Sequence, residues 1–218
     1  MPRTLYRFRM GAAWTWGTGI VLLMVIFYHG GYLFDAGTET ASFDSDSKWG
    51  IPSFVMIGVT FLAVFAYDSL YKSPLASNVR LVTIISFVML SIIVYGMKEW
   101  AGFGYRGYNI HLGALFGTIM AFNVWFRIWP AQQKIISAIK NGDAPDGDLL
   151  ALAGLRSKHN TYMSVPLVWT MHNEHHAALP GTLKLTSNLE WVLPMVMVIL
   201  GWHIVWQLYK KSATIKGF

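Results

Sequence analysis

Six stretches of this sequence stay apolar for about twenty residues each, at roughly 13–34, 51–71, 79–98, 109–130, 161–179 and 188–208. A helix needs about 20 such residues to cross roughly 30 Å of hydrocarbon. Backbone groups have no water to pair with there, so each run must satisfy its own hydrogen bonds as a helix. The expected fold is therefore an all-α integral membrane protein, a six-transmembrane-helix bundle with one domain over residues 1–218. Hydrophobic residues make up 54% of the chain and charged ones 13%, which a large soluble domain would not tolerate.

The charges that remain report orientation. Arg3, Arg7 and Arg9 precede the first span, Lys72 and Arg80 flank the connection between the second and third, and Lys134, Lys140, Arg156 and Lys158 lie between the fourth and fifth. Lys210, Lys211 and Lys216 form the tail, whereas the connection "DAGTETASFDSDSKWG" carries four acids against one lysine. The positive-inside rule then predicts an N-in/C-in topology. The net charge of +6 is spread over loops without interleaved aromatics, so nucleic acid is not an expected partner, and the lipid bilayer is.

Between the fourth and fifth spans, the fourth helix is expected to run past the membrane and break at the turn cluster "NGDAPDG". A short amphipathic helix, "DGDLLALAGLRSKHN", capped by Asp146 or Asp148, is expected next at the membrane face. Pro166 falls inside the fifth span, where it should bend the helix.

The chain has no cysteine, which excludes disulfides, thiolate metal sites, iron–sulfur clusters and covalently attached c-type haem. Histidines, methionines and carboxylates remain as ligands, and three of the seven histidines crowd into "MHNEHH", residues 171–176. The topology places His29, His111, His172, His175 and His176 toward the outer side, with His159 and His203 toward the inner side. Ionisable groups within a bilayer are costly and tend to face the bundle interior in functional roles. A neutral imidazole is the common axial ligand of haem. His111 with His175 is the leading pair to clamp one b-type haem, with His159, His172 and His29 next. His159 with His203 is a candidate inner pair for a second haem. For a bare metal the candidate ligands are His111, His175, His172 and His176. Copper is one option, and non-haem iron is another, because His172-x-x-His175-His176 resembles a single histidine box of the membrane di-iron desaturases. Asp68, at the inner end of the second span, reads as a paired or interfacial carboxylate, and Met171 and the other methionines as packing residues.

Two stretches carry a resemblance. "GYNIHLGALFGTIMAFNVWFRIWPAQQKIISAIKNGDAPD" (107–146) and "RSKHNTYMSVPLVWTMHNEHH" (156–176) resemble the membrane domain of the bacterial urate hydroxylases, in which that domain is fused to a cytochrome c. The matching features are His111-x-Gly113-Ala114, Gly117-Thr118-x-Met120, Asn123-Val124, Pro130-x-Gln132, the "NGDAPD" turn, and His159-Asn160-x-Tyr162 with Pro166, Met171 and His175. The likeness extends back through "GAAWTWGTGIVLLMVIFYHGGYLFD". The family's first helix and its cytochrome c domain have no counterpart in this chain, and His172 and Glu174 replace small polar residues of the family.

The resemblance implies an electron-transferring membrane domain whose cytochrome c comes from another subunit, and with the histidines the expectation is a subunit of the bacterial inner membrane with one or two haem b as cofactor. Its partner would be a periplasmic c-type cytochrome or other membrane subunits of a respiratory complex. Two further readings stay open. One is a membrane oxidase or hydroxylase of a purine-like substrate, held by Asn109, Asn123, Asn160, Thr118 and Tyr162. The other is a cofactor-free scaffold whose helices pack through Gly113 and Gly117.

Overall fold

The computed structural model describes residues 2–34, 50–173, 180, 183 and 185–215, and among these every regular element is helical. Helix α1 (Pro2–Leu22) runs on as a π-helical turn over Leu23–His29. Helix α2 (Ile51–Leu70) opens with Pro52, which has no amide hydrogen to leave unpaired in a first turn. After a 3₁₀ turn at Pro74–Ser77, α3 (Val79–Glu99) is capped by Asn78, whose side-chain oxygen accepts from the Leu81 amide at 3.1 Å.

The fourth span is longer than its apolar run. Helix α4 (Tyr105–Phe122), a π-helical stretch (Asn123–Ile128) and α5 (Trp129–Asn141) follow one another without a break. The rod stops at Gly142, whose φ of 82° is the left-handed conformation that ends helices. This is the break expected at the "NGDAPDG" cluster.

Helix α6 (Gly147–Asn173) corrects one expectation. The amphipathic segment before His159 is not a separate helix but the first turns of a single 27-residue helix. Nothing between Arg156 and His159 interrupts the backbone ladder, and Arg156 is drawn inward by an ion pair described below. Asp146 caps this helix, its carboxylate accepting from the Asp148 amide at 2.8 Å. Pro166 lies within the helix with its ring against Gly201 of α7 (Val192–Ser212), where a Cβ would come within 2.9 Å of the proline Cδ.

Among the described residues, five helices are long and apolar enough to span a membrane: Thr4–His29, Ile51–Leu70, Val79–Glu99, Tyr105–Asn141 and Val192–Ser212. The sixth, α6, is long enough but more polar, because its first half carries Asp148, Arg156, Lys158 and His159. The first span begins and ends earlier than its apolar run. Half of the apolar part of Tyr105–Asn141 is buried, against 11% for Thr4–His29. The fourth span is therefore the axis of the bundle, packing on α1, α2, α3 and α6, while α7 packs on α6. Large apolar side chains such as Leu62, Phe65, Ile84 and Ile92 point outward, as lipid contact requires. The protein is a multi-pass membrane protein.

Close helix approach relies on small residues. Gly113 of α4 lies so near Thr170 of α6 that a Cβ would overlap the threonine side chain. Gly117, one turn on, meets nothing and faces an open cleft. Of the two glycines expected to pack, only the first touches its neighbour helix.

Candidate functional site

Two polar centres lie at opposite ends of the bundle, here named for His111 and for Asp68. His111 is completely buried. Its Nδ1 lies 2.7 Å from the carbonyl of Gly107, one turn earlier on α4. A carbonyl only accepts, so Nδ1 carries the proton, and Nε2 keeps its lone pair. That lone pair accepts from the hydroxyl of Tyr28 at 2.9 Å. Tyr28 reaches it from the π-helical turn of α1, and Phe103 covers the other side of the ring with centroids 4.9 Å apart. Gly107 is needed for this fit, because a Cβ there would run into the backbone carbonyl of Leu33. Nearby, Asn173 at the end of α6 donates to the Tyr105 hydroxyl at 2.5 Å, which ties α6 to the start of α4.

Beside this centre a cleft of about 1080 Å³ opens between α1 and α4. Its walls include Phe27, next to Tyr28, and Ile110 and Ala114 to either side of His111 along α4, while Gly19 and Gly117 leave it wide.

The Asp68 centre lies at the far end of α2. Asp68 accepts from Arg127 Nε at 2.9 Å and from Arg156 Nη2 at 3.0 Å, pairs closely with Arg127 Nη2, and meets Lys72 Nζ at 2.8 Å. One carboxylate thus joins α2, the π-helical stretch after α4, and α6. Arg156 is 2% exposed, and its guanidinium lies over the rings of Tyr67 and Tyr71 at 5.0 and 5.7 Å. This is the pairing that a charge at this depth requires.

A hydrogen-bond relay adjoins it. Asn160 gives its amide to the Met120 carbonyl at 3.1 Å, which turns its own oxygen toward the Asn123 amide at 2.9 Å. Asn123 also donates to the Tyr67 hydroxyl at 3.0 Å. That hydroxyl, already an acceptor, gives its proton to His159 Nδ1 at 2.7 Å. The proton of His159 therefore sits on Nε2. The two histidines are held in opposite tautomers: His111 offers a lone pair at Nε2, and His159 offers a donor there.

The other sequence candidates disperse. His29 and His172 are exposed at the ends of α1 and α6, and His203 is exposed on α7 beside Gln207. His175, His176 and Glu174 lie outside the described residues. Among the described residues, no three His, Asp or Glu side chains gather as metal ligands. Of the residues considered for a purine-like substrate, Thr118 and Asn160 line the cleft beside His111 and Tyr162 lines a different cavity. Asn109 lies near Tyr105, Thr118 accepts from Trp16 at 3.0 Å, and Asn123 and Asn160 bond to each other.

Tyr28, Gly107, Tyr67 and Arg127 were not legible as site residues. The available signal was the pair of arginines, Arg127 and Arg156, set within or beside apolar runs and so in need of a buried acid.

A family model described as urate oxidase N-terminal matches residues 1–216. The chain belongs to the urate oxidase N-terminal family. No curated protein and no solved structure matches it. Within this urate oxidase N-terminal chain, the segments that carried the resemblance contribute to both centres, with His111 from the first and Arg156, His159 and Asn160 from the second, while Tyr28, Tyr67 and Asp68 come from outside them.

Proposed function

We propose that this urate hydroxylase-like membrane domain is an electron-transfer subunit that binds a b-type haem through His111 and exchanges electrons with a c-type cytochrome. The observation that supports it is the state of His111. Its Nδ1–H is anchored on a backbone carbonyl, the arrangement found behind metal-bound imidazoles, and its Nε2 lone pair is the one a haem iron takes. For an iron to be bound there, Tyr28 would have to release Nε2 and the buried ring would have to open toward the neighbouring apolar cleft, which His111 does not line. His175, in "MHNEHH", is the proposed second ligand. His159 is less suited, since the relay protonates its Nε2.

A bound haem would supply one-electron chemistry. His111 would supply the ligating nitrogen, with its tautomer fixed by Gly107 and its ring covered by Phe103.

The test is a dithionite-reduced minus oxidised visible spectrum of the detergent-purified protein, with metal analysis on the same sample. Sharp b-type α and Soret bands that vanish in His111→Ala, while the protein stays monodisperse, support the reading. A featureless spectrum from folded protein overturns it. Bound copper or iron without haem would then indicate a non-haem centre, and no metal a scaffold.

A further inference from the structure

A second cavity, of about 380 Å³, lies between α2, α3, α4 and α6 at the Asp68 end, away from His111. Both Val79 and Ile93 line it, so it extends about 20 Å along α3. It is narrow, elongated and mostly apolar, with Leu115, Phe116 and Trp202 along its deep part. Its polar end is formed by Tyr67, Tyr71, Lys158 and His159.

That end has a defined donor character. The relay from Asn160 through Asn123 and Tyr67 leaves the proton of His159 on Nε2, and this nitrogen makes no hydrogen bond to the described residues. The Tyr71 ring packs on the imidazole with centroids 4.3 Å apart. Behind both tyrosines lies the buried guanidinium of Arg156, whose charge favours an electron-rich group in the cavity. A fitting ligand has a flat ring, a carbonyl oxygen to accept from His159, and an apolar tail for the long arm.

We propose that this cavity binds a lipid-soluble quinone, its carbonyl accepting from His159 Nε2 and its tail lying along α3 toward Ile93. The size is within the roughly 300–1,000 Å³ common for small-molecule sites. The donor is the tautomer enforced by the relay, and the aromatic faces suit a planar ring. The proposal is independent of haem at His111, since binding needs only the protein and the quinone.

The test titrates decylubiquinone into the detergent-purified full chain by isothermal titration calorimetry, with decanol as a tail-only probe. Saturable one-to-one binding of decylubiquinone without binding of decanol is the expected result. His159→Phe keeps the ring packing and removes the donor, and should weaken binding roughly tenfold, the loss of one buried hydrogen bond. Thr83→Trp, on an exposed face of α3 at the cavity wall, should abolish binding without disturbing the relay. Leu200→Ala, on the exposed face of α7, should leave it unchanged. Non-saturating uptake equal in all proteins would mean partition into the micelle and would overturn the proposal. Equal affinity for decanol would make the cavity an acyl-chain slot and would also overturn it. Should His159→Phe fail to give monodisperse protein, Thr83→Trp and the decanol comparison decide alone.

Discussion

Tyr28 and His111 are 83 positions apart in the chain, yet the tyrosine hydroxyl closes on the imidazole Nε2 at 2.9 Å with both residues buried. Because Nδ1 already serves Gly107, this bond satisfies the second ring nitrogen. Tyr28→Phe should therefore strand a buried acceptor and destabilise the haem-free protein by about 1–3 kcal/mol. Thermal unfolding in detergent would measure it. With haem bound the same variant should be close to neutral, because Nε2 would then face iron. A large loss of haem in Tyr28→Phe would contradict that exchange of partners.

Glycines along the start of α4 should differ sharply in tolerance. At Gly107 a Cβ meets the Leu33 backbone, and the residue's own carbonyl holds His111. Gly107→Ala is expected to cost about 1–3 kcal/mol from overpacking and to disturb His111 as well. Gly117→Ala adds its methyl to open space and should leave the melting temperature unchanged. Comparing the two melting curves, and any haem content, tests the ranking.

Asp68 serves three cations, and they are not equally dependent on it. Asp68→Ala leaves Arg156 buried without its acid and should cost about 3–5 kcal/mol, seen as loss of monodisperse protein. Lys72, 58% exposed, can turn to water, so Lys72→Ala should cost less than about 1 kcal/mol. Arg156→Met should fall between them, since Asp68 keeps Arg127 and Lys72. Size-exclusion profiles after graded heating would order the three variants, and a Lys72→Ala effect equal to that of Asp68→Ala would refute the assignment.

Asn123 donates to both Asn160 and Tyr67, so Asn123→Leu removes two hydrogen bonds at once. Each group left unpaired should cost about 1–3 kcal/mol. The Tyr67 hydroxyl also becomes free to accept from His159, so the tautomer of that histidine is no longer fixed. Nitrogen-15 chemical shifts of the histidine side chains should show protonation moving from Nε2 toward Nδ1. An unchanged tautomer would show that the relay does not set it.

The sequence by itself determined that the chain crosses a membrane as helices, since runs of twenty apolar residues leave the backbone no other way to pair. It also located the break at the turn cluster that holds Gly142, because a turn cluster is a local signal, and it marked Asp68 as a paired or interfacial acid. Periodicity and charge are local properties, and these features are local consequences of them. The tertiary structure alone decided what each buried group meets. Tyr28 stands before His111 only because the π-helical turn of α1 aims it there, and Arg127 and Arg156 find Asp68 only because three helices converge. The opposite tautomers of His111 and His159 have the same origin. An imidazole takes its proton position from its partners, and those partners lie on other helices or a turn away, where sequence spacing carries no record of them.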